Sequence, residues 1–115
     1  MRLPFTREEF YDPQKAVRRL GLRPALNTYI AEVEPYYTSD GMPGLPKDWE
    51  WRKLYIRDQA GGRCAYCRRT VPPDVDPHHQ VTRGDGGDHS LGNLILLCLQ
   101  CHREQHPEHS DRRYR

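Results

Sequence analysis

Two cysteine pairs, Cys64-Ala-Tyr-Cys67 and Cys98-Leu-Gln-Cys101, are the most specific pattern in the sequence, and thirty residues separate them. Each C-x-x-C turn can direct two sulfur atoms at one point, and four thiolates at about 2.3 Å complete a tetrahedral zinc site with no open position. A closed site of this kind is structural rather than catalytic. The spacing therefore predicts one structural Zn²⁺ bound by Cys64, Cys67, Cys98 and Cys101.

The composition also favours a metal-stabilised domain over one held together by a large apolar core. The chain has 115 residues, of which 36% are apolar and 30% are charged, and its mean hydropathy is −0.96. This length accommodates one compact domain with additions. A thioredoxin-like redox pair would explain one C-x-x-C motif but not the second.

Membrane and secreted classes are not expected from the apolar pattern. The longest apolar run, Leu94–Leu99, has six residues, whereas a membrane-spanning helix needs about 20. The first ten residues contain no apolar signal core. We therefore expect a cytoplasmic protein, in which cysteines stay reduced and available to a metal.

The first 48 residues predict a mainly helical extension. Thr6 and Glu9 fit a capping box, and Asp12 followed by Pro13 fits the start of a second short helix. Gly21 is suited to end that helix. The Leu-Arg-Pro sequence at 22–24 then predicts an extended connection.

The middle of the chain predicts a linker followed by a helix. Residues 28–34 fit a strand or a helix equally well, and residues 35–48 have the proline and glycine content of a loop. Asp48 can cap a helix that runs to about Ala60 and buries one stripe that includes Trp51. The aromatic residues of this predicted helix, Trp49, Trp51 and Tyr55, are more typical of a core than of a surface that stacks on bases.

Four histidines are candidate metal-site or catalytic residues. His78 and His79 are adjacent in residues 75–81, VDPHHQV, which predict a short strand. Neighbouring strand residues face opposite sides, so the two imidazoles are expected to have different roles. His102 directly follows Cys101, and His106 comes four residues later on the same face of a predicted helix.

The segments CAYC, DPHHQVTRGDGG and LGNLILLCLQCHREQH together resemble the zinc-containing HNH endonucleases. The resemblance covers about residues 49–107 and implies an α+β fold, a ββα-metal motif built around the four-cysteine zinc site. It leaves residues 1–48 as a mainly helical N-terminal extension of unknown role. We expect residues 108–115 to be a basic C-terminal tail.

The resemblance also implies a role for each site residue. His79 corresponds to the general base and Asn93 to the residue that braces it. His78 and His102 correspond to the ligands of a catalytic divalent cation, which could be Mg²⁺, Mn²⁺ or Ni²⁺. His106 is placed to contact the scissile phosphate or the metal.

Some positions depart from the family pattern. Family members often have Ile and then Pro after the paired residues, where this chain has 80–82, Gln-Val-Thr. If the strand is shifted, Asp76 becomes an additional candidate ligand. His89 and His109 match no motif position, so we expect both side chains to be solvated.

The implied function is a metal-dependent DNA endonuclease with a one-metal mechanism, a histidine general base, and 3′-hydroxyl and 5′-phosphate products. The alternative is a non-catalytic, zinc-stabilised DNA-binding module. Double-stranded DNA would be bound mainly through its phosphates, with Arg83, Arg103, Arg112 and Arg113 as candidates, although a net charge of +2 only permits such binding. Resemblance to small phage proteins of the family suggests a terminase partner, and no membrane partner is expected.

Overall fold

The computed structural model describes residues 4–37, 46–81 and 88–105. Short helices and a two-stranded antiparallel sheet make up an α+β fold, as predicted. The chain divides into two compact units, Met1–Tyr55 and Ile56–Arg115. The predicted domain limits at 48/49 and 107/108 stay predictions. Among the described residues, no helix combines the length and apolar character needed to cross a membrane.

The first unit begins with a series of short helical segments. They are α1 (Arg7–Tyr11), α2 (Pro13–Leu20), α3 (Leu22–Thr28), a π-helical turn (Tyr29–Val33) and a 3₁₀ turn (Glu34–Tyr36). The predicted capping box is present, because the Glu9 N–H donates to Thr6 Oγ1 and the Thr6 N–H donates to Glu9 Oε1. Gly21 ends α2 with a φ of +91°, a conformation that costs glycine little.

The expected extended connection at 22–24 is wrong, because α3 begins at Leu22. Pro24 lies in the first turn of that helix, where the missing N–H removes no intrahelical hydrogen bond. The ambiguous residues 28–34 are helical rather than extended. Their π-helical turn buries Tyr29 and Val33 against the core.

Trp51 lies at the centre of this unit, on α4 (Trp49–Gln59). It is fully buried and stacks on Phe5 at 4.4 Å and on Tyr29 at 5.4 Å between ring centroids. Its indole N–H donates to the Glu9 carbonyl oxygen at 3.2 Å. The interpretation of this residue as core rather than as a base-stacking platform is confirmed.

A buried charged pair lies beside this aromatic core. Arg52 Nε donates to Asp48 Oδ1 at 2.9 Å, and both side chains are almost completely buried. The Tyr29 hydroxyl donates to the other Asp48 oxygen at 2.8 Å, and Arg52 also donates to the Tyr37 carbonyl oxygen. Burial is the main cause that raises the pKa of Tyr29 above its ordinary value, and the Asp48 charge adds to it.

The second unit contains the elements that carry the histidines. After α4 ends at two glycines with positive φ, Gly61 and Gly62, the elements are β1 (His78–His79), a 3₁₀ turn (Leu91–Asn93), β2 (Leu94–Ile95) and α5 (Leu99–Gln105). The strand predicted at 75–81 is thus paired at only two residues. The order strand, strand, helix is the one that the motif resemblance implies.

Candidate active site and zinc centre

The four predicted cysteines come together in one cluster. The sulfur atoms of Cys64, Cys67, Cys98 and Cys101 all lie within 4.8 Å of one another. The Cys67 and Cys98 sulfurs are 3.5 Å apart. Ligands at about 2.3 Å in a tetrahedral zinc site lie about 3.8 Å apart, so the cluster fits zinc. The predicted clustering of the four cysteines is therefore confirmed, and the cluster could hold a zinc ion.

Backbone hydrogen bonds place the two pairs in register. The Cys64 N–H donates to the Arg69 carbonyl at 2.8 Å, and the Ala65 N–H donates to the Leu96 carbonyl at 2.9 Å. The second bond joins the first cysteine turn to the segment that leads into the second pair. Arg68 closes the first turn with a φ of +68°, which is unusual for a residue with a side chain.

The thiols differ in acidity within the cluster. Burial acts to raise the pKa of Cys64, but backbone hydrogen bonds at Cys67, Cys98 and Tyr66 outweigh it and bring the pKa to about 6. Burial, together with hydrogen bonds to the neighbouring sulfurs, raises the pKa of Cys101 above its ordinary value. Four thiolates at this separation repel one another, so the cluster needs a cation before all four can ionise.

The short sheet separates the two adjacent histidines. His78 is opposite Ile95 and His79 is opposite Leu94 in the antiparallel register. The ring of His78 lies 4.6 Å from that of His102, edge to face, whereas His79 Nε2 lies 2.8 Å from His89 Nδ1. His78 and His79 are adjacent in sequence but contact different histidines, as the alternation of side chains along a strand predicts.

His78 and His102 have the chemistry of a metal-ligand pair. His102 is 3% exposed and lies on α5 directly after Cys101, where its N–H donates to the Cys98 carbonyl at 2.9 Å. The buried nitrogen atoms of the described residues include His78 Nε2 and His102 Nδ1. Two imidazoles on neighbouring elements fit a divalent cation whose other ligands come from water or phosphate.

Asn93 fastens the segment that follows β1. Its side-chain oxygen accepts from the Val81 N–H at 2.8 Å, and its side-chain nitrogen donates to the Val81 carbonyl at 3.0 Å. The same nitrogen donates to the Asp88 carbonyl at 2.8 Å. The Asn93 carbonyl oxygen also accepts from the Gln80 N–H at 2.8 Å. Asn93 thus holds both described ends of the connection between residues 81 and 88.

The expectation that His89 is solvated is wrong. His89 is 1% exposed, and its ring contacts His79 at 4.8 Å between centroids. The prediction failed because His89 matches no position of the motif, although it lies four residues before Asn93. The sequence did contain one indication of a role for His89, namely its position shortly before Asn93, the residue expected to brace the base.

Arg57 is a second residue that sequence reasoning missed. Its guanidinium donates to the Val71 carbonyl at 3.0 Å and to the Pro72 carbonyl at 2.6 Å. These bonds anchor the segment between the first cysteine pair and β1 to helix α4. The charge of Arg57 in the last turn of α4 gave no specific sign of this role.

The remaining predicted positions are placed as follows. Arg103 is exposed on α5. Asp76 is exposed, and in the described ranges it does not join His78 and His102 in a cluster of three metal-binding side chains. Several other predicted positions lie outside the described residues: Arg83, His106, His109, Arg112 and Arg113.

Comparisons with known proteins agree with the motif pattern. Residues 64–108 match the family model described as HNH endonuclease. The chain is also similar to the type IV methyl-directed restriction enzyme EcoKMcrA of Escherichia coli (strain K12), with 31% identity over 71 residues, covering 48% of this chain. The chain spans 26% of the length of that relative. No solved structure gives a significant match.

Proposed function

We propose that this chain, whose residues 64–108 match the HNH endonuclease family model, is a metal-dependent endonuclease that hydrolyses phosphodiester bonds of double-stranded DNA. The observation that supports this most directly is that the two adjacent histidines of β1 contact different residues. His78 lies beside His102, while His79 faces the other way toward His89. A DNA-binding module without catalysis needs no such arrangement.

His78 and His102 are the proposed ligands of the catalytic cation. When bound there, a divalent cation supplies positive charge that stabilises the non-bridging phosphate oxygen and the departing 3′-oxygen. Imidazole ligands suit Mn²⁺ and Ni²⁺ better than Mg²⁺, so we expect Mn²⁺ and Ni²⁺ to compete well. The pairing of two buried ring nitrogens supports this assignment.

His79 is the proposed general base. Its side chain is partly exposed, so a water molecule can reach the ring. The imidazole takes a proton from that water, and the resulting hydroxide attacks phosphorus. The bond between phosphorus and the 3′-oxygen then breaks, and the departing 3′-oxygen takes a proton from a solvent water molecule. The products are 3′-hydroxyl and 5′-phosphate ends.

Asn93 and His106 are proposed to support the reaction without accepting the proton. The hydrogen bonds of Asn93 to Val81 and Asp88 fix the segments next to His79 and His89. His106, from its position in the motif, is proposed to contact the scissile phosphate. The zinc on the four cysteines is structural, because all four of its positions are filled by sulfur.

A plasmid-nicking assay tests the proposal. Protein loaded with one zinc per chain is incubated with supercoiled plasmid, with and without Mn²⁺. Omitting Mn²⁺ is a better control than adding a chelator, since a chelator also removes the structural zinc. Nicking that requires Mn²⁺ and is lost in His79→Ala supports the proposal. DNA binding without cleavage at any Mn²⁺ concentration would favour the zinc-stabilised binding module.

The chemistry of the ends is tested separately. We expect DNA ligase to reseal the nicked plasmid without prior treatment by a kinase or phosphatase, because the ends would be 3′-hydroxyl and 5′-phosphate. Nicks that require a phosphatase before they can be extended would contradict the proposed bond cleavage.

DNA is proposed to be bound mainly through its phosphates, with the exposed Arg103 as one contact. Binding through phosphates weakens steeply as salt rises, because counterions are released. We expect the affinity to fall at least about tenfold between 50 and 200 mM salt if two or more phosphates are contacted. A salt-independent affinity would indicate another kind of partner.

The cellular setting follows from the family resemblance. A DNA substrate places the protein in the cytoplasm of a bacterial or phage-infected cell. A phage terminase is the proposed protein partner, and co-purification of tagged protein with terminase subunits from infected cells tests it.

A further inference from the structure

We propose that His89 is a positioning residue that fixes the ring and the tautomer of His79. This inference rests on the proposed role of His79 as general base. His79 Nε2 and His89 Nδ1 are 2.8 Å apart, which is within hydrogen-bond distance. The two rings are tilted at 66° to one another, so the contact is made through nitrogen atoms rather than by stacking.

The hydrogen bond assigns roles to the two nitrogens of His79. A neutral imidazole carries one proton, so one of its nitrogens donates and the other accepts. A base must present its unprotonated nitrogen to water. Since Nε2 is bonded to His89, the proton-accepting atom is His79 Nδ1, and His79 Nε2 carries the proton donated to His89 Nδ1.

The same bond can hold the ring of His79 in place throughout the reaction. When the O–H bond of water breaks, its proton moves to His79 Nδ1, and the hydroxide oxygen forms the new bond to phosphorus. His79 is then an imidazolium with protons on both nitrogens, and Nε2 continues to donate to His89. Because Nε2 keeps the same partner before and after the proton transfer, the ring does not need to reorient during the reaction.

His89 is well suited to act as an acceptor. It is 1% exposed, and burying a charged imidazolium costs much more than burying a neutral ring. Its backbone is held on one side by Asp88, whose carbonyl accepts from Asn93 at 2.8 Å and whose side chain accepts from the Ser90 N–H at 3.0 Å. Asn93 therefore acts on the segment of His89 as well as on the segment after His79.

Substitutions at His89 test the proposal. His89→Ala removes the acceptor, whereas the side-chain oxygen of His89→Asn can occupy nearly the position of Nδ1 and accept the same bond. Gln80→Ala is the matched control, because it removes an exposed hydrogen bond to the Gly92 carbonyl at 3.2 Å without altering the ring contact. All three proteins should retain zinc.

We expect His89→Ala to lower the single-turnover cleavage rate about 10- to 100-fold, as misplacement of a reacting group does. Mn²⁺ affinity and DNA affinity should stay unchanged, and His89→Asn should recover most of the rate. His79→Ala and the double variant His79→Ala/His89→Ala should cleave equally slowly, because His89 acts through His79. If His89 acted only by stabilising the fold, the double variant should cleave more slowly than His79→Ala.

NMR of ¹⁵N-labelled histidine provides a second readout. Parental protein should show His79 protonated at Nε2, and His89→Ala should show a mixture of both tautomers. If parental protein cleaves DNA while His89→Ala cleaves at the parental rate, the positioning role is wrong and the proposed function stands. If parental protein does not cleave with Mn²⁺, the proposed function and the catalytic role of His89 both fail.

Discussion

We expect that replacing one of the four proposed zinc ligands unfolds the second compact unit. Cys64 is fully buried, and Cys64→Ser replaces a thiolate with a hydroxyl, which is a weaker ligand for zinc. Zinc binding contributes about 10 kcal/mol or more to the folding of small metal domains. A whole domain is stable by only about 5–15 kcal/mol.

The apolar core of this unit cannot compensate for the loss. In the described part of residues 56–115, the buried isoleucine, valine and leucine side chains are Ile56, Val71, Leu94, Leu96 and Leu97. Each contributes about 1.5–3 kcal/mol on burial, so the five together contribute roughly as much as the one metal site. We therefore expect the zinc-depleted unit to be unfolded at 25 °C.

Hydrogen exchange measured by mass spectrometry, together with zinc content, provides the assay. In Cys64→Ser, peptides from 64–105 should exchange at the rate of an unfolded chain, while peptides containing Phe5 and Phe10 should stay protected. Tyr66→Ala is the matched control, since Tyr66 lies in the same turn but is 53% exposed. Its zinc content and protection should equal those of the parental protein. If Cys64→Ser kept both zinc and protection, the structural role of the cluster would be refuted.

Three further predictions concern the described hydrogen bonds and ion pairs. The hydrogen bonds that Glu9 accepts from Arg19 lower the pKa of Glu9 to about 2. The ionised Glu9 carboxylate therefore stabilises the fold fully above about pH 4.5, and this stabilisation is lost as the pH falls toward 2. The stability of Glu9→Gln should not show this pH-dependent loss during acid unfolding. Arg52→Met leaves the buried Asp48 carboxylate unpaired and should lower the free energy of unfolding in urea by about 3–5 kcal/mol, whereas an unchanged urea midpoint would contradict the buried pair. Asn93→Ala removes three side-chain hydrogen bonds and should lower the free energy of unfolding, measured by thermal unfolding, by about 1–3 kcal/mol. It should reduce the cleavage rate more than it reduces Mn²⁺ affinity. A larger effect on Mn²⁺ affinity than on the cleavage rate would argue that Asn93 does not brace the base.

The sequence predicted the parts of the fold that depend on local or strongly specific patterns. The capping box at Thr6, the glycine end at Gly21 and the cysteine cluster all require particular residue types at fixed spacings, so they can be recognised without tertiary information. The separation of His78 from His79 likewise follows from strand geometry, which needs only two paired residues.

The errors occurred where tertiary contacts decide the conformation. Pro24 suggested an extended segment, but its place in the first turn of α3 makes it compatible with a helix. Tyr29 is buried against Trp51, and that packing stabilises a helical turn that residues 28–34 alone leave ambiguous. His89 was missed for the same reason, because its contact with His79 joins residues ten positions apart.

Calorimetric Mn²⁺ titration of His78→Ala and His79→Ala, paired with single-turnover cleavage, tests the central claim most directly. Both variants are first shown to retain one zinc per chain. His78→Ala should bind Mn²⁺ at least about tenfold more weakly. His79→Ala should bind Mn²⁺ and DNA like the parental protein but cleave about 10²- to 10⁴-fold more slowly, the usual range for loss of a general base. Cleavage by His79→Ala at the parental rate, or loss of Mn²⁺ binding in His79→Ala but not in His78→Ala, would contradict the assignment of base and ligand.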